Sequence, residues 1–138
     1  MTMPEDVLAY NRELIEEFRT DGGESLANRP LLLLTTVGRR TGRPRTSPMM
    51  YVRSGDRLLV IASNNGARED PQWYRNLQVD PSVTVELPGE RFTAHAEPLS
   101  GDDYDREWAG IKQEFPFFAE HETRAGRRIP VVALTRTA

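Results

Sequence analysis

Leu31-Leu-Leu-Leu-Thr-Thr-Val-Gly-Arg-Arg-Thr-Gly-Arg-Pro-Arg45 is the stretch from which the rest of the chain can be read. Leu31 to Val37 leaves no polar face and reads as a buried strand, and Thr46 to Arg53 reads as its return. The connection, Gly38 to Arg45, is bracketed by Gly38 and Gly42, which lack a Cβ and let backbone N–H groups approach a ligand closely. Between Arg29 and Gly55 there are six arginines and no acidic residue, in a chain whose formal charge is -3. Guanidinium forks offer paired donors to phosphate or carboxylate oxygens. The tip is therefore a candidate anion site; a hairpin tip kept soluble by charge is the other reading of the same spacing. A Walker-type phosphate loop is excluded, because Gly-Lys-Ser/Thr is absent and Lys112 is the single lysine.

Charge elsewhere is sectored. Residues 1–28 sum to -5, 29–55 to +6, 56–101 to -3, 102–122 to -5 and 123–138 to +4. A length of 138 residues fits one domain, 1–138, with an N-terminal amphipathic helix in 1–22 and a barrel over 31–136. Without cysteine there is no disulfide and no thiolate chemistry. His95 and His121 lie far apart with no acidic pattern around them that resembles a metal motif, so no metal site is expected. No apolar run approaches bilayer-spanning length, and a cytoplasmic protein without membrane association is the expectation.

Thr2 to Arg19 has a helical period. Thr2 and Glu5 show capping-box spacing, Val7, Leu8, Leu14, Ile15 and Phe18 share a side, and Gly22-Gly23 ends the helix. Its acidic polar face disfavours an anionic membrane surface, leaving the sheet or a second subunit as what it packs on. Arg57 to Ala62 is a further apolar strand. Ser63-Asn-Asn-Gly66 opens a polar loop that runs into a helix with Asp70 as cap and Pro71 in the first turn. The free N–H groups at such a helix start could complete an anion site. Trp73 and Tyr74 supply ring faces, either to a ligand or to the core.

Val83, Val85 and Leu87 alternate, Pro88-Gly89 turns, and Phe92, Ala94 and Ala96 alternate again, which makes a hairpin with one buried face and His95 outside. Ser100 with Asp103 has capping spacing for a helix that gathers Tyr104, Trp108, Ile111 and Phe115. Phe115-Pro-Phe-Phe118 breaks it, as a lid over an apolar cavity or as a core plug. Ile129 to Leu134 is a closing strand. Six mainly antiparallel strands with an N-terminal helix and two or three short helices make an α+β protein, a small closed or split β-barrel, not a Rossmann sheet.

The order of these blocks, Leu31 to Arg45, then Pro48-Met-Met-Tyr51, Ala62-Ser-Asn-Asn-Gly66 and Pro71-Gln-Trp-Tyr-Arg-Asn-Leu77, closely resembles the deazaflavin-dependent nitroreductase family from about Leu31 to Leu134. The resemblance implies a split β-barrel related to FMN-binding pyridoxamine-phosphate-oxidase-like proteins, and coenzyme F420, a deazaflavin, as hydride donor. Carried over by position, it implies that Arg39, Arg40, Thr41 and Arg45 hold the coenzyme's phosphate and acidic tail. Pro48 and Met50 then lie along the ring, Ala62, Ser63, Asn64, Asn65 and Gly66 beside it, and Gln72, Trp73 and Tyr74 at the helix start that serves the same coenzyme. FMN is the runner-up cofactor.

A phosphodiester with a polyglutamate tail needs several cations, and a tricyclic ring needs apolar walls. Micromolar affinity corresponds to about 8 kcal/mol, and charge-assisted hydrogen bonds contribute roughly 1.5 to 3 kcal/mol each before solvent screening. Three or four contacts at the tip would hold the tail; packing must orient the ring. Members that reduce nitroimidazoles carry tyrosines where this chain has Phe115, Phe118 and His121, the residues expected at the substrate pocket. Phenylalanine donates no hydrogen bond, which favours a quinone or activated enone over a nitro compound as electron acceptor. Ser63 and Tyr51 are the candidates for supplying a proton, and neither is assigned an obligatory role.

The alternatives are an FMN- or haem-binding barrel, an F420 carrier without turnover, and a nucleic-acid module using the basic tip, against which the net acidity argues. Family barrels are often dimers, so a homodimer is a further expectation.

Overall fold

The computed structural model describes residues 4–20 and 31–137. Helix α1 (Pro4–Thr20) is followed by strands β1 (Leu31–Val37), β2 (Pro44–Ser54) and β3 (Arg57–Ile61), then α2 (Gln72–Val79). The hairpin β4 (Ser82–Leu87) and β5 (Glu90–Pro98), helices α3 (Gly101–Glu114) and α4 (Phe117–Ala125), and β6 (Val131–Arg136) complete the chain. The strands close into a barrel in the order β1-β2-β3-β6-β5-β4, every pair antiparallel. Among the described residues no helix is long and apolar enough to cross a membrane.

Side-chain alternation sorts the apolar residues into layers. Leu32, Leu34, Val60, Val85, Ala94 and Val132 point into the barrel, where Tyr74 and Leu77 of α2 join them and close the interior. Leu59, Ile61, Val131 and Ala133 point outward beneath Tyr104, Trp108 and Ile111 of α3 and Phe118 of α4. Leu33, also outward, packs on Phe18, Leu14 and Ile15 of α1. The unbroken leucine run of β1 is thus explained by cover on both faces: barrel interior on one side, α1 on the other.

Three expectations about boundaries need correction, while the expected break at Phe115-Pro-Phe-Phe118 holds, α3 ending at Glu114. The closing strand is Val131–Arg136, because Ile129 is drawn into the outer cluster and the Pro130 carbonyl accepts the Ala62 N–H. Asp70 does not cap α2; Pro71 occupies that position, and Asp70 pairs with Arg127 at 2.7 Å. Ser100 precedes α3, but its side chain makes no cap bond, and Asp103 is held by Arg57 instead. The segment after Pro116 is helical, with Gly126 at φ 63° ending it in the left-handed conformation. The expected Thr2 cap and Gly22-Gly23 stop lie outside the described residues.

Candidate active site

A groove of about 640 Å³ opens between the β1–β2 tip, the start of α2 and one face of α1. Two backbone bonds shape the tip, Gly38 N–H to the Arg43 carbonyl and Gly42 N–H to the Gly38 carbonyl, both 2.8 Å. Gly42 has φ 72°, a conformation that strains other residues. A Cβ on Gly38 would lie 3.0 Å from the Arg43 oxygen, so the tight approach is backbone on backbone. Thr41 turns its hydroxyl inward, where it accepts the Arg43 N–H at 3.2 Å.

The groove is lined by Arg39, Arg40, Thr41, Arg45, Gln72 and Trp73, all expected there, and also by Arg12 and Ile15 of α1, Ser47 of β2 and Asn76 of α2. Arg39 Nη1 donates to Asn76 Oδ1 and Nη2 to Gln72 Oε1, each at 2.8 Å. Among the described residues, no carboxylate pairs with Arg39, Arg40, Arg43, Arg45 or Arg53. Other arginines do find carboxylates: Arg19 with Glu86, Arg57 with Asp103 and Glu107, Arg127 with Asp70. The donor set at the groove thus suits a polyanion, and half-buried Trp73 gives it a flat wall.

The remaining expected residues divide by face. Tyr74 is 7% exposed and belongs to the interior core, so its ring is not presented to the groove, and burial raises its phenol pKa. On β2, Met49 and Tyr51 pack toward the interior cluster and Met50 toward the outer one; Pro48 pairs with Leu33 on the face that α1 covers. Tyr51 and Ser63, the two proton-donor candidates, share no hydrogen bond.

The Ala62 to Gly66 loop forms its own centre. Ala62 and Ser63 are buried, and a single 3₁₀ turn follows in which Asn64, Asn65 and Gly66 have φ of 50°, 55° and 82°. Successive left-handed residues are costly unless the surroundings hold them. Here α4 does so: Arg124 Nη1 donates to the Asn65 carbonyl at 3.0 Å, and a Cβ on Gly66 would lie 3.3 Å from the Arg124 guanidinium and from His121 Cα. Arg127 adds a clasp, donating to the carbonyls of Ala62, Ser63, Ala67 and Glu69 besides its ion pair with Asp70.

Within this centre His121 Nδ1 lies 3.3 Å from Ser63 Oγ. Burial, reinforced by Arg124 and opposed by Glu120, lowers the His121 pKa, favouring neutral imidazole. Phe117 and Phe118 flank the ring edge-on. Phe118 is 5% exposed and sits in the outer core with Trp108, and Phe115 packs against the same cluster. Of the two readings of this aromatic run, Phe118 takes that of the core plug, whereas Phe117 is exposed.

Sequence reading missed Arg12, Ile15, Ser47, Asn76 and Arg127. Gln72 and Asn76 stand at i,i+4, so a shared polar face on α2 was a readable signal. Arg127 bonds residues about sixty positions away, and no local pattern announces it.

Residues 10–136 match the family model for F420H(2)-dependent quinone reductases. An F420H(2)-dependent quinone reductase of Mycobacterium tuberculosis is 38% identical over 110 residues, 78% of this chain and 74% of that protein. The solved structure of an F420-H2 dependent reductase aligns with TM-score 0.69 at 31% identity, covering 77% of this chain and 94% of the other. A second structure, described as a domain-swapped dimer, aligns with TM-score 0.72 at 30% identity over 96% and 99% of the two chains. The chain therefore belongs to the F420H(2)-dependent quinone reductase family, oxidoreductases that take hydride from reduced coenzyme F420 and deliver it to quinone-type acceptors.

Proposed function

We propose that the groove at the β1–β2 tip holds the phosphate and acidic tail of F420 through Arg39, Arg40 and Arg45, with Arg12 of α1 on the opposite wall. The observation that carries this reading is the set of tip arginines without a carboxylate partner among the described residues, beside a groove walled by Trp73. When bound, the reduced coenzyme supplies the hydride; the protein supplies position and electrostatics. In this reading the clasped Ala62 to Gly66 loop, with Pro48 and Met50, orients the ring, and Gln72 and Trp73 link it to the tail. Phe117, Phe115 and His121 border the acceptor. Ser63 Oγ and His121 Nδ1 hold a shared proton position that suits a carbonyl oxygen becoming a hydroxyl. The acceptor is a quinone, a class that needs no tyrosine in the lid.

Calorimetric titration with F420, FMN and NADPH side by side tests the cofactor, with binding of F420 alone expected. Oxidation of reduced F420 by menadione tests turnover; tight binding with no oxidation across a panel of acceptors would make the protein a carrier. We further propose a homodimer, in keeping with the neighbour described as a domain-swapped dimer. Light scattering on the purified chain checks it.

A further inference from the structure

We propose that Asn76 is a positioning residue for the anion site, and that an amide at this place, in contrast to a carboxylate, is what leaves the charge of Arg39 uncompensated toward the groove. This deepens the reading above and rests on it for the identity of the anion.

Asn76 is 3% exposed, the most enclosed polar side chain lining the groove. Its Nδ2 donates to the buried Thr36 Oγ1 at 3.1 Å, which orients the amide and turns Oδ1 toward the tip. That oxygen accepts twice from one residue: the Arg39 backbone N–H at 3.2 Å and Nη1 at 2.8 Å. One buried amide thus fixes both the backbone at the start of the tip and the direction of its guanidinium. Gln72, one turn earlier on α2, accepts Nη2 at 2.8 Å. A guanidinium has five N–H donors, so those not held by the two amides stay available to a ligand. Both acceptors are neutral, so Arg39 is immobilised before an anion arrives, while among the described residues no carboxylate compensates its charge.

An aspartate at position 76 would have nearly the same shape and could accept from Arg39 and from the Thr36 hydroxyl. It would also place a full negative charge against the guanidinium, as Asp103 and Glu107 do for Arg57, and that charge would compete with any incoming phosphate. The decisive variant is therefore Asn76→Asp, which keeps the geometry and changes the charge. A residue with a merely structural role would lose stability and binding together.

Inorganic tripolyphosphate and F420 are titrated separately into wild-type protein, Asn76→Asp and Asn76→Ala, with thermal denaturation of each. The expected result is that Asn76→Asp keeps its melting temperature while affinity for both anions falls by about tenfold or more, the size expected for loss of one charge-assisted contact. Asn76→Ala loses melting temperature as well. Because position 76 is buried, the surface pair Gln72→Glu and Gln72→Met provides a second arm, in which the glutamate weakens tripolyphosphate binding more than the methionine. Affinity unchanged in both Asn76→Asp and Gln72→Glu overturns the proposal, as does affinity lost by Asn76→Asp only in step with unfolding, or wild-type protein that ignores tripolyphosphate. Wild-type protein that binds tripolyphosphate but not F420 overturns the functional reading and leaves the role of Asn76 standing.

Discussion

The β1–β2 tip and the Ala62 to Asp70 loop are both organised by arginines, and they use them in opposite ways. In the loop, Arg127 is 16% exposed at its side chain, donates to four loop carbonyls and pairs with Asp70, so its donors and its charge are consumed inside the protein. At the tip, Arg39 is steered by two neutral amides, and Arg40 and Arg45 point into a groove with no carboxylate partner among the described residues. An arginine satisfied by a carboxylate is part of the scaffold, and one held by amides or by nothing is a candidate for binding. The partner, not the residue type, separates the two.

Among the arginines, the largest expected effect tests the scaffold side. Arg127→Ala removes a donor from four carbonyls, of which Ser63 and Glu69 keep another partner, strips Asp70 of its ion pair and releases a turn that contains three left-handed residues. A loss of about 2 to 3 kcal/mol follows, seen as a drop in melting temperature of roughly 5 to 10 °C for a chain of this size. Faster amide exchange across residues 62–70 should accompany it, and added guanidinium should restore part of both. A variant with wild-type melting behaviour would erase the distinction between the regions.

Next in size is the tip. Arg40→Ala and Arg45→Ala remove exposed side chains and should change stability by less than about 0.5 kcal/mol. Each should weaken F420 binding by about tenfold at low salt, less at high salt, as expected for charges that solvent screens. A tip arginine whose loss lowers the melting temperature as Arg127 does would belong to the scaffold after all. A smaller effect is expected at Phe117: Phe117→Ala should shift preference among quinones by a few-fold, about 1 kcal/mol, with F420 affinity unchanged. Phe118→Ala is different, since removing a core aromatic costs about 3 kcal/mol or more, and a change in acceptor preference there would be entangled with unfolding.

That contrast between neighbouring phenylalanines shows what could be read in the chain. Leu31 to Val37 and the Val83 to Ala96 hairpin were legible because alternation and turn residues act over a few positions. The candidate anion site was legible because charge density at Gly38 to Arg45 is itself local. Whether Phe117 or Phe118 entered the core was not, because it depends on how α4 meets α3 and β3 after the break at Pro116. Asp70 and Asp103 sat at good capping positions, yet distant guanidiniums took them, since an ion pair with Arg127 or Arg57 competes with a cap and nothing local reveals the competitor. Asn76 falls between these cases: its spacing from Gln72 was visible, and its bond to Arg39 required the fold.

The smallest effect is a dependence on pH that only one of the two regions should show. Guanidiniums stay protonated throughout the neutral range, so the tip arginines should hold their anion equally well between about pH 5.5 and pH 7.5. His121 beside the loop does titrate, and burial places its folded pKa below the usual 6.5. Between those two pKa values the unfolded chain binds more protons than the folded one, so stability is fully present above about pH 6.5 and declines as pH falls toward the folded value. Asp103, lowered chiefly by its bonds to Arg57, and Glu122, whose bonds to Trp108 and Lys112 outweigh its burial, also stabilise at higher pH. Their contributions fade only in the carboxylate range, so they leave the histidine window clear. Wild-type protein should therefore lose melting temperature from about pH 7.5 to pH 5.5, and His121→Phe should lose less. If instead F420 binding itself depends on pH and His121→Phe flattens that dependence, the charge that holds the coenzyme is not confined to the tip, and the division of labour between tip and loop fails.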